Sequence, residues 1–132
     1  VYSPCIGMGE ADVIVAFEKV EAVRWLHQLK EGGILLVNDY EIYSLPVLLG
    51  QEEYPQNIIE RLKDKVENFK AFNAAKIAED LGNIKAQNIV LLGALIKALN
   101  LDGIDWTEVL KEHLPERLHD LNIKALEAGM RV

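Results

Sequence analysis

Two short runs constrain this chain most. Val13-Ile14-Val15-Ala16-Phe17 and Ile34-Leu35-Leu36-Val37 are apolar at every position. Runs this short are strands rather than helices. A strand apolar on both faces belongs inside a parallel sheet that is covered on both sides. Between the two, Glu18 to Lys30 carries Val20, Val23, Leu26 and Leu29 on one side, as an amphipathic helix does. Glu18 near its start and Lys30 near its end complement the helix dipole, and Gly32-Gly33 is expected to stop it. Strand, helix and strand form a βαβ unit, whose crossover is right-handed.

Past this unit, Asp39 to Pro55 reads as irregular, broken by Pro46 and Gly50, with Pro46-Val47-Leu48-Leu49 as a short extended piece. Ile58, Ile59, Leu62 and Val66 mark a helix with a charged outer face, and Phe69 to Phe72 a third strand. Asn73 caps a helix that ends at Gly82. The last third is helical. Lys85 to Leu99 is apolar almost all round, so it is buried on most sides, in a core or at an interface. Asp105 and Glu108 have capping-box spacing, and Pro115 opens a final helix that ends before Gly129. The expected fold is α/β: a three-layer α/β/α Rossmann-like domain over residues 1–132, with a mainly parallel sheet and a helical C-terminal third. Two firm strands are few for a doubly wound domain, and the chain opens on Val1-Tyr2-Ser3-Pro4 without Met. A further βα portion ahead of residue 1 is therefore expected.

Composition removes several function classes. The 132 residues fit one domain, and half are hydrophobic, enough for a core. Acidic residues outnumber basic ones 21 to 14, for a net charge of −7, and no cationic footprint for nucleic acid is visible. The longest apolar stretch, Ile89 to Ile96, is far short of the roughly 20 residues a membrane span needs. One cysteine, Cys5, cannot form an internal disulfide or hold an iron–sulfur cluster or structural zinc alone, and it points to a cytoplasmic location.

Candidate chemistry is sparse. Gly7-Met8-Gly9 precedes a strand, whereas phosphate-binding glycines follow one and open a helix, so a plain turn is expected. His27, His113 and His119 lack a second ligand at metal spacing, and Ser3 and Ser44 lack a nameable partner. The suggestive positions are geometric. Glu18 follows the first strand, and Asn38 with Asp39 follows the second. Ligands and partners meet open parallel sheets at this carboxyl edge. These residues either touch a substrate or neighbouring subunit, or serve as a helix-terminal charge and a turn. A second string runs Gly82-Asn83, Asn88, Leu92-Gly93-Ala94-Leu95. Glycine inside a helix costs up to about 1 kcal/mol relative to alanine, which close packing offsets. Gly93 therefore marks a close backbone approach, within the core or to another chain.

Taken in order, these strings resemble the gamma-type domain of the 2-oxoacid:ferredoxin oxidoreductases, with the small beta subunit of the indolepyruvate enzymes as the nearest type. The residues that carry the resemblance are Ser3-Pro4, Gly9-Glu10-Ala11-Asp12 leading into Val13–Phe17, Glu18, Glu21-Ala22, Arg24, Gly32-Gly33 and Asn38. Farther on come Gly82-Asn83, Asn88, Leu92–Leu95, Asn122, Ala125 and Gly129. Members of this family usually carry a glycine-rich strand–turn–helix ahead of the Ser-Pro, which this sequence does not show. The resemblance implies a subunit without catalytic, cofactor-binding or metal-binding residues of its own. Thiamine diphosphate, Mg and the iron–sulfur clusters are expected on a large partner subunit, and ferredoxin and coenzyme A are met through the complex. The partner- or substrate-facing edge is expected at Glu18, Asn38, Asp39, Asn83, Asn88 and Gly93. The alternatives are a gamma subunit of a pyruvate, 2-oxoisovalerate or 2-oxoglutarate enzyme, and a stand-alone nucleotide-binding or scaffold domain.

Overall fold

The computed structural model describes residues 3–132, so the opening Val1-Tyr2 lies outside the described residues. The apolar runs form the expected strands: β1 (Ala11–Ala16) and β2 (Leu29–Asn38) pair in parallel, and β3 (Asn68–Phe72) completes a parallel sheet in the order β1-β2-β3. Helix α1 (Lys19–Trp25) continues through a 3₁₀ turn at Leu26–Gln28. The next helices are α2 (Leu45–Leu48), α3 (Ile58–Lys65) and α4 (Ala74–Asp80). The last three are α5 (Gln87–Ala98), α6 (Trp106–His113) and α7 (His119–Met130). The chain divides into two compact units, Val1–Ala71 and Phe72–Val132.

In the first unit, one face of the sheet presents Ala16, Leu35 and Val37 to Ala22 of α1 and to Ile58 and Leu62 of α3. Tyr54 and Val66 close the ends of this core. The α3 stripe is the one expected from Ile58, Leu62 and Val66, with Glu60, Lys63 and Lys65 on its outer side.

In the second unit, α5 lies against α7, and the contact is between backbones. A Cβ on Gly93 would sit 2.2 Å from Leu126 O, and one on Gly129 would sit 1.9 Å from Val90 O. Only glycine at both positions permits this approach. Ile96, Leu110 and Leu126 form the core beside it.

Three expectations need correction. Gly32-Gly33 does not end a helix, because Leu29 already begins β2. Pairing jumps from Ala11↔Leu29 to Val13↔Ile34, two residues on β1 against five on β2. The surplus leaves the ladder as a bulge, which Gly32 permits with a φ of +74° and Gly33 with a buried backbone against Leu29. Pro46–Leu49 is not extended: Pro46 takes the first turn of α2, where its missing N–H is not needed. The final helix does not stop before Gly129, which lies inside α7 and is retained there by the α5 contact. Its regular part also starts later than Pro115, after a 3₁₀ turn at Glu116–Leu118.

Candidate functional site

At the carboxyl edge of β1, Glu18 leaves the strand in an extended conformation and caps α1. One carboxylate oxygen, Oε2, accepts from Val20 N at 2.7 Å and Glu21 N at 3.1 Å. The other, Oε1, accepts from the Tyr54 hydroxyl and from Ile42 N at 3.4 Å. Glu18 is only 5 % exposed, so these donors replace its water. Asn38 closes β2, fully buried, and its Nδ2 donates to Phe17 O at 3.2 Å. The ends of the two paired strands are thus joined by a side chain as well as by the ladder.

Lys19 draws the following segment onto this edge. Its N–H donates to Tyr40 O at 3.2 Å, and its Nζ reaches Glu41 at 2.6 Å and Asp39 at 3.5 Å. The same ammonium lies 5.7 Å from the Tyr54 ring centroid, and Tyr43 meets Tyr54 edge-on at 5.3 Å. Burial works to lower the Lys19 pKa, but Glu41 and Asp39 outweigh it and hold it above the ordinary lysine value. The Lys19 and Tyr43 hydrogen bonds hold Glu41 below the ordinary carboxylate value. Burial first, and then the Glu18 carboxylate, push the Tyr54 phenol far above its ordinary value.

Beside this cluster opens a cleft of about 420 Å³. Its lining includes Glu18, Glu21, Glu52 and Glu53 against a single cation, Arg24, which is itself 3.4 Å from Glu21. Such a field repels phosphates and carboxylates and attracts cationic side chains. The nucleotide reading fails at the front as well. The Gly7 amide, which would face a phosphate, donates to the Glu10 carboxylate at 2.8 Å.

Glu18, Asn38 and Asp39 are therefore brought together at one edge, with Asn38 buried and Asp39 exposed. Asn83, Asn88 and Gly93 lie in the second unit. Asn83 caps a 3₁₀ turn by accepting from Lys85 N at 2.9 Å, after Gly82 at a φ of +112°. Asn88 is exposed on α5, and Gly93 is buried against α7. Lys19, Glu41, Tyr43 and Tyr54 went unflagged by the sequence, because a segment without periodicity gives no sign of which residues it returns to a strand end. The histidines serve their own turns: His27, His113 and His119 each lie within hydrogen-bond distance of a backbone carbonyl three to five residues earlier. Among the described residues, no group of His, Cys, Asp and Glu has metal-binding geometry, and no helix is long and apolar enough to cross a membrane.

Comparison with known proteins gives a consistent pattern. Residues 1–132 match the family described as pyruvate ferredoxin/flavodoxin oxidoreductase. The chain is 36% identical to indolepyruvate oxidoreductase subunit IorB of Pyrococcus horikoshii, over 99% of this chain and 67% of that protein. It is 29% identical to the pyruvate/ketoisovalerate oxidoreductases common subunit gamma of Thermococcus kodakarensis, over 89% of this chain and 59% of the relative. Among solved structures it resembles the keto/oxoacid ferredoxin oxidoreductase gamma subunit of Geobacter sulfurreducens, with a TM-score of 0.65 and 26% identity. That match covers 93% of this chain and 64% of the other. The chain thus spans roughly three fifths to two thirds of the proteins it matches.

Proposed function

The chain belongs to the pyruvate ferredoxin/flavodoxin oxidoreductase family, and from that membership we propose that it is a subunit, without cofactors of its own, of a ferredoxin-dependent 2-oxoacid oxidoreductase. Residues 1–132 form its gamma-type domain. The substrate class we infer is an aryl 2-oxoacid such as indolepyruvate. The observation that carries this is the match to an indolepyruvate oxidoreductase subunit over nearly all of the chain. In the complete enzyme the 2-oxoacid loses its carboxyl group as CO2. The remaining acyl group passes to the sulfur of coenzyme A, whose thiol proton is released, and the two electrons pass to ferredoxin. A pyruvate, 2-oxoisovalerate or 2-oxoglutarate enzyme is the second reading, supported by the weaker match to a common gamma subunit.

The donor set of this chain does not suit the redox cofactors. An iron–sulfur cluster is held by several thiolates, and the sequence has one cysteine. The cleft at the sheet edge carries carboxylates where the diphosphate of thiamine diphosphate or coenzyme A would need cations. Thiamine diphosphate, Mg and the clusters are therefore assigned to a larger partner subunit. The single cysteine suits a cytoplasmic location for the complex. The test is to purify the small chain, the large subunit and their complex, and to measure iron and thiamine in each. Both should follow the large subunit. Stoichiometric iron with visible absorption in the small chain alone would refute the assignment.

A further inference from the structure

We propose that the segment from Ile42 to Leu49, together with the acid-lined cleft beside it, is the surface on which the partner subunit docks. The partner meets it with apolar side chains flanked by lysine or arginine. This rests on the subunit reading above and specifies where that subunit binds.

Helix α2 and the Leu49 that caps it turn Val47 inward and three leucines outward. Val47 packs on the core of the first unit, while Leu45, Leu48 and Leu49 point away from it. Leu45 and Leu48 are three residues apart, and Leu45 and Leu49 four, so they share one face. They are 67 %, 66 % and 62 % exposed, and Ile42 ahead of them is 62 % exposed. A cluster of large apolar side chains left in water marks an interaction surface, where scattered single ones do not.

The patch is held in a fixed shape. Leu48 N and Leu49 N donate to Ser44 O and Leu45 O at 3.0 Å and 2.9 Å, and Gly50 reverses the chain at a φ of +69°. Upstream, Ile42 N is anchored on the Glu18 carboxylate, and Tyr43 packs against Tyr54. The apolar residues are thus presented by a pre-formed turn, so binding need not order a loop, which lowers its entropic cost.

Charge selects the occupant. Glu52 and Glu53 stand exposed beside the patch, and Glu18 and Glu21 line the same cleft. A second copy of this chain, related by a two-fold axis, would bring this acidic rim against itself. Coenzyme A would bring phosphates to carboxylates. A protein surface with a basic rim around apolar side chains meets both requirements.

The test uses the full small chain and the large subunit with its thiamine diphosphate and clusters. Association is measured by titration calorimetry at low and high salt. The double substitution Leu45→Asp/Leu48→Asp should weaken association by at least about 30-fold with unchanged thermal unfolding of the small chain. Glu52→Lys/Glu53→Lys should weaken it by about 10-fold at low salt and by less at high salt. Ile104→Asp, which changes an exposed apolar residue of the second unit, should bind as wild type. If the leucine variant unfolds early, the glutamate variant decides, since it removes no packing. A wild-type complex that both variants form equally well would overturn the surface. So would a dimer of the small chain alone that the leucine variant abolishes. Absence of any wild-type complex would overturn the subunit reading, and the docking surface with it.

Discussion

A carboxylate taken almost wholly out of water must find donors to replace its hydration, and Glu18 finds them on two stretches of chain. Two belong to the first turn of its own helix and two to residues beyond β2. Replacing Glu18 with Ala removes the cap and strands the Tyr54 hydroxyl in a buried place. The expected loss is about 2–3 kcal/mol, measured by urea unfolding. Tyr54 makes a separate prediction. Its folded pKa lies above the ordinary value of 10.0, so its contribution to stability is complete below that pH. It is lost as pH rises from about 10 through the folded pKa, when the phenolate forms beside Glu18. Stability of wild type should therefore fall more steeply above pH 10 than that of Tyr54→Phe, and equal slopes would contradict the pairing. Glu18 was legible in the sequence, since it follows an all-apolar strand and opens a helical pattern. Its partner was not: Tyr54 lies 36 residues on, across a segment with no period to read.

At the scale of elements, the α5–α7 crossing is the most demanding contact. The atoms that a Cβ would strike at Gly93 and Gly129 are backbone, so no side chain can move aside. Gly129→Ala should cost about 2–3 kcal/mol by thermal or chemical unfolding, the upper part of the range for overpacking, less any gain in helix propensity. Gly103→Ala is the control, because a Cβ there meets nothing within 4 Å, and it should change stability by about 0.5 kcal/mol or less. The need for a close approach at Gly93 could be inferred from a glycine inside an apolar helix. Its partner could not, because glycine near a chain's last helix, as at Gly129, reads equally well as a stop signal. Gly32-Gly33 misled for the same reason: paired glycines end helices and make bulges alike, and only the register of β1 with β2 distinguishes them. β1 and β2 were legible because each holds a continuous apolar run, Val13–Ala16 and Ile34–Val37, and α2 was not, because four residues carry no period.

At the scale of the whole molecule, the chain combines a parallel-sheet unit and a helical unit with one cysteine and an acidic sheet edge. The order of short strings along the sequence pointed to the family before any one of them could point to chemistry. Of the docking surface proposed above, the sequence marks only a part. The carboxyl edge was marked by Glu18, Asn38 and Asp39, while the exposed leucines of α2 required the fold to separate them from Val47. Whether this chain acts only within a larger 2-oxoacid oxidoreductase is decided by ferredoxin reduction with indolepyruvate and coenzyme A. The small chain, the large subunit and the mixture are assayed side by side. The small chain alone should give no turnover, and the mixture should reduce ferredoxin. Turnover by the small chain, free of the large subunit, would contradict the subunit reading.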